Sequence, residues 1–410
     1  MQQHHTYKAW QTPQNLLLCV SLIVPIAFSS WMALLNNFAI EMAAFDGSDM
    51  GILQSVREIP GFLAFTAIFV LLFIKEQRFM LIALGMLALG TAITGFFPSF
   101  YGMLLTTLLM STGFHYFETL KQSLSLQWLT KDEAPEMLGK FISVGALASL
   151  ITYGALWLML EALHWDYKTV YLVTGGSAFI LLVAIGLAFP RFEATTKQNT
   201  QLVLRKRYWL YYALTFMSGA RRQIFTVFAG FLMVEKFGYS AADITLLFLI
   251  NYVFNFLFAK RIGRLIGRIG ERRALTVEYI GLIIVFVGYS VVENTHIAAA
   301  LYVVDHLFFA LALAVKTYFQ KIADPADMAS TAGVSFTINH IAAVVIPAAF
   351  GFIWLVSPGL VFLIGAAMAV VSLLLALNIP DKPTAGVEAR WLGAKWNYRE
   401  AKLDQHITGK

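Results

Sequence analysis

The sequence predicts an all-α integral membrane protein with twelve transmembrane helices in two six-helix halves, and three observations predict it. Of 410 residues, 59% are hydrophobic and only 13% charged, with a mean hydropathy of +0.69, whereas a soluble domain carries about 25% charged residues. Apolar runs recur from Asn15 to Pro380, each close to the roughly 20 residues that a helix needs to cross a bilayer core. One polar, basic stretch, 191–207, divides these runs into six and six.

The first run, 15–40, is longer than the apolar core of a signal peptide and has no small-residue cleavage site after it, so it reads as a retained helix. The others follow at 48–74, 79–97, 102–128, 137–161 and 168–189, then at 208–235, 242–262, 273–293, 297–321, 328–356 and 358–379. They must be helices, because lipid cannot satisfy open backbone groups and the runs lack the alternation of barrel strands. The organisation that follows is a tail 1–14, a six-helix bundle 15–190, a linker 191–207, a second bundle 208–380 and a tail 381–410. The last of these, with Trp391, Trp396 and Tyr398 among Arg390, Lys395, Arg399 and Lys402, reads either as an amphipathic helix on the inner leaflet or as a solvated tail.

Charge orients the chain. The tails, the loops on their side and the span ends that flank those loops hold 23 of the 30 Lys and Arg, and the opposite side holds only Lys168 and Lys236. The positive-inside rule therefore predicts that both termini are cytoplasmic. Short loops and the absence of an Asn-x-Ser/Thr sequon fit a bacterial inner membrane. The net charge of +6 is thus mostly topology, and no basic cluster on a soluble face points to nucleic acid. Cys19 is the single cysteine, so no internal disulfide or Cys-based metal site is available. Without a P-loop, HExxH or GxSxG, the chain reads as neither ATP-driven nor an enzyme, with no cofactor and no metal.

Two internal alignments support the division into halves. EAPEMLGKFISVG stands to the first half as DPADMASTAGVSF does to the second, and placing Asp49 on Asp243 brings Arg57 onto Asn251. Both offsets are about half the chain, as expected for repeats related by a pseudo-twofold along the membrane normal.

Twelve spans joined in the middle by a basic loop resemble the major facilitator superfamily. Between spans 8 and 9, Gly263-Arg-Leu265-Ile-Gly267-Arg268-Ile-Gly270-Glu271-Arg272-Arg273-Ala-Leu275 resembles that family's G-x-L-x-D-R-x-G-R-R-x-x-L signature. Gly263 and Gly270 then imply a tight turn, and Arg268, Arg272 and Arg273 imply contacts to helix ends or lipid headgroups. Gly267 stands where the family has Asp, and Glu271 where it has Arg; loop 2–3 keeps only Lys75-Glu76-Gln77-Arg78. The Gly-Pro pair of drug/proton antiporters is missing from GALASLITYG, 145–154. The resemblance implies secondary transport by alternating access, with spans 3, 6, 9 and 12 facing lipid and the others lining a cavity. Interior charges do fall in spans 2, 4, 7 and 10, and span 9 has only Glu278, near its cytoplasmic end.

A charge at a helix centre costs roughly 2.5 to 3.5 kcal/mol, so these groups must be hydrated or paired. Five cations, Arg57, Lys121, Arg221, Arg222 and Lys316, face three anions, Glu58, Glu118 and Asp305. This imbalance predicts a basic cavity whose substrate contacts are Arg57, Lys121, Gln122, Arg221, Arg222, Asn251, Lys316 and His340. Ser111, His115, Glu118, Gln122 and Ser125 fall at helical spacing, which makes His115 with Glu118 a candidate proton-handling pair, with Asp305 and Glu58 as further candidates. Asp305 and Lys316, eleven apart, share a face on a regular helix. The resulting expectation is a small organic anion moved with protons; the alternatives are an exporter of amphiphilic or cationic compounds and, in another class, a receptor or membrane enzyme.

Overall fold

A computed structural model describes residues 8–129, 134–192, 204–323 and 328–391. The basic linker between 193 and 203, the repeat residue Asp327 and the tail beyond 391 lie outside the described residues. The described chain is helical, with a single isolated bridge between Thr384 and Val387. Its helices are α1 (Pro13–Asn37), α2 (Gly47–Phe62), α3 (Ala67–Leu71), α4 (Glu76–Thr94), α5 (Phe100–Trp128), α6 (Ala134–Trp157), α7 (Tyr167–Ala188) and α8 (Trp209–Gln223). They continue as α9 (Gly230–Glu235), α10 (Ala241–Ile269), α11 (Glu271–Val291), α12 (Thr295–Phe309), α13 (Leu313–Ile322), α14 (Met328–Val356) and α15 (Pro358–Leu377).

Among the described residues, 8 helices are long and apolar enough to cross a membrane. The expected spans 2, 4, 7 and 8 are also helical but fall outside that set. Span 2 breaks after Pro60, which cannot donate to its preceding turn, into a short 3-10 turn (Ala64–Thr66) and α3. Span 7 passes from α8 through a π-helical turn, Ile224–Ala229, into α9. In span 11, α14 runs through Pro347 without opening, and the Ala348 amide donates to the Ser55 hydroxyl at 2.9 Å.

The chain forms two compact units. The first comprises 1–46, 56–199 and 238–252. In it, glycines bring helices together at backbone distance: a Cβ on Gly113 would lie 2.3 Å from the Leu87 nitrogen, and one on Gly175 2.3 Å from that of Ala92. α4 is thereby held between α5 and α7. Phe38 packs edge-on against Tyr171, and the start of α10 joins this unit through Tyr153 against Phe248 at 5.5 Å. α1 and α6 end alike: each closes through a π turn (Phe38–Met42, Leu158–Ala162) followed by a left-handed residue, Ala44 and His164. Phe45 and Trp165 then donate back to Ala39 and Met159, the pattern in which glycine is usual.

The second unit comprises 47–55, 200–237 and 253–410. α8 packs on α14 where Gly219 meets Asn339, and α11 packs on α12 where Gly281 meets Phe308. The first turns of α2 belong here, since Gly51 approaches the Pro347 carbonyl and Gly351. Trp354 stacks on Phe228 at 5.4 Å and donates to Glu235 at 2.9 Å.

Candidate functional site

In the second unit, the end of α8 carries Arg221 into an apolar interior where it is fully buried. Its Nη1 lies 3.7 Å from Glu278 Oε1 on α11, beyond hydrogen-bond reach, and its guanidinium lies over the Tyr279 ring at 4.3 Å. Asp305 on α12 is also fully buried, and neither of its oxygens has a hydrogen-bond partner among the described residues. The same holds for both Glu278 oxygens and for the hydroxyls of Tyr279 and Tyr289. The Arg221 guanidinium thus pairs with Glu278 inside the unit, and Asp305 is buried in the same unit without a hydrogen bond among the described residues.

Glu278 is the residue that sequence reasoning missed. It was expected near the cytoplasmic end of a lipid-facing helix, yet it is buried at the core of the unit and pairs with Arg221. An intramembrane carboxylate with no basic residue three or four positions from it was the available signal. Arg221 itself needs correction: enclosed by Glu278 and Tyr279, it offers no surface to a substrate. Asp305 and Lys316 do not share a face, because a 3-10 turn (Ala310–Ala312) between α12 and α13 shifts the helical phase; Asp305 is buried and Lys316 exposed. Arg222 is half-buried, and its carbonyl accepts from Thr226. His340 is buried, with Nδ1 2.8 Å from the Phe336 carbonyl.

In the first unit, Arg57 is bound by its neighbour Glu58 at 2.5 Å, with Met32 Sδ 3.6 Å away. Where Pro60 disturbs the helix, the Ser111 hydroxyl of α5 donates to the Arg57 carbonyl. His115 presents a ring nitrogen within 4.8 Å of a Glu58 carboxylate oxygen, which gives it a buried acidic neighbour on α2. Glu118 instead lies 3.9 Å from Lys121, with 44% of its side chain exposed. The expected polar stripe on α5 is therefore divided, with Ser111, His115 and Ser125 buried and Gln122 exposed. Lys121 is held near the faces of Phe117 and Phe141, at 5.7 and 6.0 Å. Asn251 is buried.

The loop signature also needs correction. Gly263 and Gly267 make no turn, since α10 continues through both; the turn is made at Gly270 alone, with φ +84. Arg268 and Arg273 are exposed. Glu271 is buried and accepts from Lys321 at 2.7 Å, while Arg272 pairs with Asp381. These two pairs tie the start of α11 to the end of α13 and to the segment after α15.

The family model of the Major Facilitator Superfamily matches residues 21–347. No curated protein matches the sequence. Among solved structures, the chain is similar to the nucleoside transporter NupG in its D323A form, with a TM-score of 0.74 and 16% identity over 89% of this chain and 99% of that one. It is similar to a POT family transporter in complex with 5-aminolevulinic acid, with a TM-score of 0.68 and 12% identity over 89% and 94%. A bacterial homolog to the human lysosomal transporter Spinster gives a TM-score of 0.65 and 13% identity over 90% and 95%. At these identities the likeness shows the fold.

Proposed function

Because the chain belongs to the Major Facilitator Superfamily, and is accordingly a multi-pass membrane transporter rather than an enzyme, we propose that it carries a small organic anion with protons. The observation that supports proton coupling most directly is Asp305: it is fully buried, with both oxygens unpartnered among the described residues. A lone carboxylate in such a place is costly, and a bound proton removes the cost. Asp305 takes the coupling role in preference to Glu118, whose exposed carboxylate is neutralised by Lys121.

The anionic substrate is supported by the cations that remain reachable. Arg57 and Arg221 are buried, whereas Lys121, Gln122, Arg222 and Lys316 keep exposed surface, so the proposed contacts are Lys121 and Gln122 in the first unit and Arg222 and Lys316 in the second. A carboxylate or phosphate suits the paired donors of the Arg222 guanidinium. We place both termini in the cytoplasm of a bacterial cell, on the strength of the loop charges.

The test is transport by purified protein in liposomes under an imposed pH gradient, against a panel of labelled mono- and dicarboxylates, organic phosphates and cationic dyes. The expected result is accumulation of one anion class, with Asp305→Asn keeping exchange but losing accumulation. Transport of cationic dyes alone would overturn the anion assignment, and undiminished accumulation by a well-folded Asp305→Asn protein would remove the coupling role.

A further inference from the structure

We propose that the first unit carries a second ligand site, apart from the transport contacts, where α1 and α6 end, and that this site takes an organic cation, an ammonium group on an apolar body. The inference goes beyond the transport reading and does not depend on it.

A cavity of about 540 Å³ lies there, within the range of roughly 300 to 1,000 Å³ usual for ligand pockets. It is enclosed by the π turns that close α1 and α6, by the segment 164–168 leading into α7, and by 240–242 at the start of α10. All of these belong to the first unit. The loop charges place this face outside the cell.

The walls combine aromatic rings with an excess of acid. Phe38 packs edge-on against Tyr167 at 5.9 Å, and the Tyr167 hydroxyl donates to Glu41 at 2.8 Å. Both rings are therefore fixed before a ligand arrives. Trp165 lines the same cavity with 36% of its surface exposed. Two carboxylates also line it, Glu161 and Asp166, and both are exposed. Asp166 caps α7 through the Thr169 amide at 2.8 Å, which leaves Glu161 as the acid free to meet a ligand. The ammonium of the lining, Lys168, stands over the Phe96 ring at 4.5 Å, and Phe96 lies outside the lining.

This combination selects for charge and for shape. A carboxylate and the face of an aromatic ring both attract a cation, and the ring surfaces cover an apolar body. Glu161, His164 and Asp166 do not converge as three ligands of one metal ion among the described residues. An occupant has to reach separate groups across the cavity, as an organic molecule does. In doing so it touches the ends of α1 and α6 and the start of α10, and holds the three together.

The probe is radiolabelled benzyltrimethylammonium, measured by equilibrium dialysis against the full chain in lipid nanodiscs at low salt, with benzoate as the same ring carrying the opposite charge. Saturable binding is expected, weakened about fivefold by Glu161→Gln and about threefold by Trp165→Ala, and not displaced by benzoate. Glu161 is exposed, so its variant should keep the melting temperature of the unmutated protein. Absence of saturable binding, binding that both variants leave unaltered, or displacement by benzoate would overturn the proposal. Binding that Glu118→Gln weakens instead would put the probe among the transport contacts and overturn it equally. In sealed vesicles with the termini inside, the impermeant probe should bind without permeabilisation; binding that requires permeabilisation would overturn the outer placement of the site.

Discussion

Replacing Arg221 by Met should be among the most damaging single changes in the second unit. At 3.7 Å from Glu278, with an effective dielectric near 20, the lost attraction is about 4 kcal/mol, within the roughly 3 to 5 kcal/mol seen when one partner of a buried pair is removed. Glu278→Gln should cost less, about 2 kcal/mol or under, because the Gln amide oxygen keeps the side chain's shape and can still accept from the guanidinium. The double variant should be more stable than the sum of the two effects by about 2 kcal/mol or more, since the acid stranded by Arg221→Met is then gone. Reversible unfolding of purified protein in mixed micelles, followed by Trp fluorescence, measures all four corners of this cycle. Additivity within about 0.5 kcal/mol would show that Arg221 and Glu278 do not depend on each other and would refute the reasoning from their burial.

Three other outcomes follow from named positions. Gly113→Ala should destabilise the first unit by about 3 kcal/mol or more, because the new Cβ would meet the Leu87 nitrogen at 2.3 Å and the Ala83 oxygen at 2.4 Å; Gly267→Ala, with nothing within 4 Å, should instead stabilise α10 by up to about 1 kcal/mol. At the start of α7, the hydroxyl and amide of Thr169 hold the Asp166 carboxyl below its usual range, so its capping contribution is present above that range and lost as the pH falls through the lowered value. Asp166→Ala should therefore cost about 0.5 kcal/mol at neutral pH, and the difference in melting temperature should vanish in acid. In a Cys19→Ser background, a cysteine placed between 195 and 200 should react only with reagent admitted to the cytoplasm, and one at 98 only from outside; the reverse pattern would overturn the assigned orientation.

How much of the site was legible depended on whether a residue's partner lay nearby in sequence. Glu118 and Lys121 are one turn apart, so their contact is available from helical spacing, although the polar stripe on α5 pairs Glu118 with His115 instead. Arg221 and Glu278 are far apart along the chain, and nothing in either segment announces the other. The shifted phase between Asp305 and Lys316 was equally hidden, since a 3-10 turn depends on what the helix packs against rather than on the composition of Ala310–Ala312. Glycine roles divided in the same way: Gly270 makes its turn, while Gly263 and Gly267 are absorbed into α10.

By itself the sequence determined that this chain is a helical membrane protein and which residues carry intramembrane charge, because both follow from quantities summed along the chain: hydropathy over a bilayer's thickness and the number of basic residues per loop. The tertiary structure decided which of those charges neutralise one another, which lie closed from water and which remain reachable. A helix fixes only the direction in which a side chain leaves its own axis, and the cost of burying a charge depends on what a different helix brings within a few ångströms of it.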